Sequence, residues 1–251
     1  MIELLQSIEA SVQQVAAEVC TLIQVPPFVA LIHPADPAPW FNYAMPVAPL
    51  NPAAANLPAL RQVFQQHQRQ LRFEWTRELW PELESMLKAA GIKVDHSNPQ
   101  MICPPAQFKP YHNPTIELRW LTTADDLGLY RQVTRLGFGD YSAIGQADVD
   151  SLHEALNAGW RYAMALIEGE LAAVGGYKPT SSGVVELVAI ATLPVWRRRG
   201  AAASLTSFLV ADHYAKAGKL AFLFAADAIA QATYAKIGFQ HIATHLAATE
   251  E

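Results

Sequence analysis

The sequence predicts an α/β fold, a mixed sheet with helices on its faces, and three features of the chain point to it. Its second half alternates strand-type and helix-type segments in the order strand, helix, helix, three strands, helix, strand, helix, strand. Of 251 residues, 51% are apolar and 16% charged, which is the composition of a chain that buries a core. Glycines stand where helical patterns stop, at Gly91, Gly218 and Gly238.

In the first half, Ile2, Leu5, Ile8, Val12, Val15, Val19 and Leu22 recur every three or four residues. This spacing predicts a helix over 2–23, stopped at Val25-Pro26-Pro27. Residues 26–58 carry many Pro and Ala and few regular signals, with Trp40, Phe41 and Tyr43 as candidate anchors. Leu57, Leu60, Val63 and Phe64 share one side of a helix over 57–70. Residues 71–75 alternate as a strand, 78–90 read as a helix closed by Gly91, and 92–95 begin another strand. Pro99, Pro104, Pro105, Pro110 and Pro114 mark a connector. It divides a smaller N-terminal α/β domain, 1–113, from a second domain, 114–251.

The second domain restarts with a strand over 115–121, followed by helices over 125–136 and 149–157. Residues 160–167 and 170–177 form a hairpin turning at Glu168-Gly169, and 184–193 form an apolar strand. A helix opens at Arg199-Gly200 and runs to about Ala217. A strand over 220–224, a helix over 228–237 and a final strand over 239–245 complete the pattern.

Charge and composition exclude several function classes. The net charge is −5, and residues 1–113 carry 7 basic and 9 acidic side chains against 11 and 14 in 114–251. Neither part offers the basic patch that nucleic acid or an anionic membrane needs. There is no run of about 18 apolar residues and no secretory leader pattern, so a soluble, cytoplasmic protein is expected. Cys20 and Cys103 read as free buried thiols, although a disulfide stays open. Of the eight histidines only His241 and His245 stand four apart, and they fall on a predicted strand, where that spacing separates them by about 13 Å, so no metal site is expected. His213 reads as a surface or capping residue.

The chemistry concentrates in two places. In residues 184–203 an apolar strand runs through a turn into Arg197-Arg198-Arg199 and a helix start of Gly200, Ala201 and Ala202. Small residues leave the backbone bare, so a phosphate can reach the unpaired amides at the positive end of the helix dipole. A solvated basic turn accounts for the same residues equally well. Downstream, Tyr234 precedes Gly238-Phe239 with the spacing Y-x-x-x-G-F. A phenol there can donate a proton to a departing thiolate, or it can be an aromatic core residue.

With these motifs, residues 115–245 resemble the GNAT superfamily, the Gcn5-related N-acetyltransferases. The family pattern Q/R-x-x-G-x-G/A corresponds to Arg197–Ala202, with Ala202 as the second small residue. The later pattern N-x-x-A-x-x-x-Y-x-x-x-G-F corresponds to Asp227, Ala230, Tyr234, Gly238 and Phe239, with Asp227 replacing Asn. The resemblance implies a mostly antiparallel mixed sheet flanked by helices, and acetyl-CoA as co-substrate in an opening between the strand ending near Thr192 and the strand at 220–224. It implies that backbone groups of Ile190, Ala191 and Thr192 pair with the pantetheine arm. The amides of Arg197, Arg198, Arg199, Gly200, Ala201 and Ala202 would hold the pyrophosphate, with Asp227 and Ala230 nearby. It further implies Tyr234 as general acid and Glu186, eleven residues before Arg197, as general base, unless a water chain takes that role. The acceptor would be a primary amine on a small molecule or peptide, with Asp140, Asp148 and Asp150 available to attract it. A non-catalytic acyl-CoA-binding module fits the turn equally, while a dinucleotide or P-loop fold is disfavoured because GxGxxG and GxxxxGK[ST] are absent.

Residues 71–94 repeat the plan of 220–242, strand, helix, Gly, strand, with Leu87 where Tyr234 stands. A degenerate GNAT-like first half and an unrelated α/β domain both fit this pattern.

Overall fold

A computed structural model describes residues 1–51 and 56–250. The chain divides into one unit of residues 1–100 with 242–251, and a second of residues 101–241. Where the sequence places a boundary at 113/114, the division falls at 100/101, and the last ten residues group with the first unit.

The first unit contains α1 (Ile2–Ala16), β1 (Thr21–Val25), β2 (Phe28–Ile32), β3 (Tyr43–Pro46), α2 (Leu57–Gln66), β4 (Arg72–Thr76) and α3 (Pro81–Ala89). It also holds most of β5 (Val94–Cys103) and of β11 (Gln240–Thr249). Its strand order is β1-β2-β3-β4-β11-β5. β1, β2 and β3 are antiparallel neighbours, β3 and β4 are parallel, and β4 and β11 are antiparallel.

Three sequence expectations fail here. The helix predicted over 2–23 stops at Ala16, and Thr21–Val25 pairs with Phe28–Ile32 instead. Leu22 packs into one apolar cluster and Ile23 into another, the period-2 alternation of a strand. The region read as irregular holds β2 and β3, whose residues are all buried. Phe28, Ala30 and Ile32 face one core while Val29 and Leu31 face another, so no polar alternation marks the strand. In the same way β5 runs through Pro99 into the expected connector as far as Cys103.

The second unit contains β6 (Ile116–Trp120), α4 (Leu127–Gly137), α5 (Gln146–Asn157), β7 (Arg161–Ile167), β8 (Glu170–Tyr177) and β9 (Val184–Thr192). α6 (Ala201–Ala215), β10 (Leu220–Phe224) and α7 (Ala228–Ala235) follow. Its strand order is β5-β10-β9-β8-β7-β6, antiparallel from β6 to β9 and parallel between β9 and β10. The result is the expected mixed, mostly antiparallel sheet with flanking helices. Ala201, Ala203, Leu205, Leu209 and Val210 of α6 join the core formed by Ala163, Ala173, Val185 and Leu223. His213, expected at the surface or as a cap, is buried: its Nε2 lies 3.1 Å from the Gly183 carbonyl oxygen, and a Cβ at Gly218 would strike its ring.

The units share one plan. Each has an antiparallel meander, a parallel step bridged by a helix (α2 or α6), and a second helix (α3 or α7). Both cysteines are free. Among the described residues no helix is long and apolar enough to cross a membrane.

Candidate active site

The site begins where β9 and β10 stop pairing. Their parallel register runs through Leu220↔Val184, Ala221↔Val185 and Phe222↔Glu186, while β9 continues to Thr192. β9 is also distorted on its other side. Ala189 has φ 53°, and the β8–β9 register shifts between Val174 and Gly176, so β9 carries an extra residue. Such a bulge bends a strand and increases its twist. The half-buried Glu186 thus occupies the last paired position before the fork, and Ile190, Ala191 and Thr192 lie beyond the bulge. Among the described residues the buried Thr192 hydroxyl has no hydrogen-bond partner.

At the end of this strand the chain enters α6 through Arg198 at φ 64° and Gly200 at φ 89°. Gly200 is the N-cap and supplies no side chain to the helix, whose first residues are Ala201, Ala202 and Ala203. The opening amides therefore have no side-chain cap, an arrangement that suits a phosphate. α2, at the corresponding place in the first unit, differs. Asn56 caps it by accepting from the Ala59 N–H at 3.1 Å, and Pro58 has no N–H to offer. Only α6 keeps an anion-ready terminus of these two.

The three arginines have separate roles. Arg197 donates to the Gly137 carbonyl at 2.9 Å and to Thr192 O at 3.3 Å, tying the C-terminus of α4 to the end of β9. A Cβ at Gly137 would stand 2.7 Å from the Ala191 Cβ, so that position must stay small. Arg199 lies over the Trp196 ring at 4.8 Å and pairs with Glu168 at 2.6 Å. Arg198 makes no side-chain contact of this kind among the described residues and is exposed.

Tyr234 lies in α7, buried in the same core as Val185 and Leu187 of β9 and Leu223 of β10. Its ring sits 5.9 Å from that of Phe239. Burial, with a smaller contribution from the Asp227 charge, pushes its phenol up to about 12, so it holds its proton at neutral pH. No hydrogen-bond partner takes its hydroxyl among the described residues. Asp227 is the N-cap of α7, its carboxylate accepting from the Ala230 N–H at 2.7 Å. That explains an acid at this position without a ligand.

The acids expected to draw in a cationic acceptor are largely occupied. Asp148 pairs with Arg135 at 2.5 Å and accepts from the Gly145 N–H, and Asp140 lies 3.8 Å from the same Arg135. Asp150 accepts from the Gln146 amide at 2.8 Å. Between α4 and α5 a cleft of about 520 Å³ is lined by Leu129, Arg135, Tyr141, Ile144 and Val149. Of these, Tyr141 is exposed. Among the described residues no group of three His, Cys, Asp or Glu could hold a metal ion.

Sequence reading missed one participant. Residues 104–113, read as connector, lie along the site: a Cβ at Gly200 would come within 2.9 Å of the Tyr111 hydroxyl, and Asn113 Nδ2 donates to Arg199 O at 3.1 Å. Proline-rich composition gives no address in space, so no local pattern could have placed this segment.

Residues 130–239 match the sequence model of the Acetyltransferase (GNAT) family. Comparison with curated proteins finds no match. Among solved structures, a GCN5-related N-acetyltransferase from Kribbella flavida is 19% identical, covering 98% of this chain and 95% of its own, with a TM-score of 0.80. A GCN5-related N-acetyltransferase from Sphaerobacter thermophilus is 13% identical over 98% of this chain and 90% of its own, with a TM-score of 0.68. A tandem GNAT protein of the clavulanic acid biosynthesis pathway is 12% identical over 89% and 78%, with a TM-score of 0.63. These likenesses are in the fold.

Proposed function

We propose that this chain, whose residues 130–239 match the Acetyltransferase (GNAT) family, transfers an acetyl group from acetyl-CoA to a primary amine. One observation carries this reading: the β9–β10 fork leads from Glu186 directly to an uncapped α6 N-terminus. A long ligand with a thioester at one end and a pyrophosphate at the other fits that sequence of features. The amides from Arg199 to Ala202 receive the pyrophosphate, and the backbone of Ile190, Ala191 and Thr192 receives the pantetheine arm.

The acceptor ammonium gives a proton to Glu186. The free amine nitrogen then attacks the thioester carbonyl carbon, the C–S bond breaks, and the departing thiolate takes the Tyr234 proton. The acylated nitrogen gives its remaining extra proton to the Tyr234 phenolate, amide and free CoA leave, and Glu186 releases its proton to solvent. A phenol held protonated by burial is suited to this donor role. The first unit keeps the plan of the fold, but with Asn56 and Pro58 at α2 and Leu87 in α3 it lacks the parts to bind or protonate. We read it as a degenerate GNAT-like unit.

The test is calorimetric titration with acetyl-CoA of the wild type, Arg198→Glu and Tyr234→Phe. Wild type should bind, Arg198→Glu should bind more weakly, and Tyr234→Phe should bind normally while losing about 10²-fold or more in CoA release with an amine panel. A wild type that does not bind acetyl-CoA refutes the reading. Binding without turnover on any amine, unchanged in Tyr234→Phe, would instead assign a non-catalytic acyl-CoA-binding module.

A further inference from the structure

The segment after β5 joins the two motifs that the sequence presents as separate. At one end Lys109 N–H donates to the Ile237 carbonyl at 2.8 Å, and the Gln107 carbonyl oxygen lies 1.9 Å from where a Cβ on Gly238 would stand. In the middle, Phe108 packs edge-on against Tyr214 of α6, with ring centroids 5.8 Å apart. At the other end the Tyr111 N–H donates to Ser207 Oγ at 2.8 Å. Asn113 donates from Nδ2 to Arg199 O, while its Oδ1 accepts from the Thr115 N–H at 3.1 Å and the Thr115 hydroxyl at 2.9 Å. The strap is therefore fixed by its backbone and by Asn113, and the Tyr111 hydroxyl is spared from holding it.

That hydroxyl sits beside Gly200, and Tyr111 is 36% exposed. Among the described residues it has no hydrogen-bond partner. A phenol next to the αL residue that opens an uncapped helix is placed to add one side-chain donor to the backbone donors there.

We infer that Tyr111 is a further binding residue of the site, donating its hydroxyl hydrogen bond to the pyrophosphate of the acyl-CoA held at the start of α6. The inference rests on the acetyl-CoA reading above. It also assigns Gly200 a second requirement, since any side chain there would displace the Tyr111 hydroxyl as well as strain the backbone.

The test compares wild type with Tyr111→Phe for two ligands. Acetyl-CoA is measured by calorimetry, and S-acetylpantetheine, which has the thioester but no pyrophosphate, by ligand-observed NMR. Thermal unfolding of both proteins checks the fold. Tyr111→Phe should weaken acetyl-CoA about tenfold, the size of one lost hydrogen bond to a charged acceptor. It should leave S-acetylpantetheine and the unfolding midpoint unchanged. Wild-type binding of acetyl-CoA with an unchanged affinity in Tyr111→Phe overturns this inference alone, as does equal weakening of both ligands. Failure of the wild type to bind acetyl-CoA overturns the parent reading and this inference with it.

Discussion

Gly238 of the Y-x-x-x-G-F motif has φ 106°, outside the range that residues with a Cβ adopt at low cost. A Cβ there would also stand 1.9 Å from the Gln107 carbonyl oxygen and 2.8 Å from its carbon, where ordinary contact begins at 3.4 Å. Gly238→Ala must pay for both effects. The backbone conformation costs about 1–2 kcal/mol. Moving a hydrogen-bonded strap costs about 1–3 kcal/mol more, for a total of about 3 kcal/mol. In a protein of this size that lowers the unfolding midpoint by roughly 6–12 °C. Gly139 is the control, since it has φ 81° but nothing within 4 Å of a Cβ. Gly139→Ala pays only the conformational part, about 1 kcal/mol and roughly 2–4 °C. Differential scanning calorimetry of the two variants reads the difference. Equal losses would show that the 104–113 strap does not press on Gly238, and the physical account of the connector would fall.

Two further outcomes are expected. Asp227→Ala should lose about 1 kcal/mol with the N-cap of α7, whereas Asp227→Asn, which can still accept from the Ala230 N–H, should lose only a few tenths; urea unfolding separates them. The first unit should show a two-sided pH response in its unfolding midpoint. Burial, with Arg72 and His96, lowers His245 to about 3, so its contribution is complete above pH 6.5 and declines as pH falls toward 3, while burial raises Glu74 to about 6, so its contribution is complete below pH 4.5 and is lost as pH rises through 6. The two oppose each other between pH 4.5 and 6; His245→Gln should remove the acid loss below 4.5 and leave the Glu74 decline exposed. A variant that follows the wild-type profile would contradict this.

Much of the second unit was legible in the chain itself. Its apolar strand runs are bounded by turn residues at Glu168-Gly169 and Ser181-Ser182-Gly183, its last two helices end shortly before Gly218 and Gly238, and its phosphate turn is a contiguous run from Arg197 to Ala202, so local sequence carries both element and chemistry. The first unit was harder because Phe28–Ile32 is buried on both faces and shows no period, and because β1 continues the apolar spacing of α1.

What the sequence alone determined was the order of elements in the second unit, the residue types of the phosphate turn, and the glycine and tyrosine spacing of α7. Those follow from periodicity and backbone freedom, which act over a few residues. Tertiary structure decided the rest. It made Arg197 and Arg199 structural and left Arg198 exposed, it neutralised Asp140 and Asp148 with Arg135, and it assigned β11 to the unit of β4. It also brought Tyr111 to Gly200 across 89 residues of chain (200 − 111). Partners that distant are chosen by packing and hydrogen bonding among completed elements, and nothing local in the sequence encodes that choice.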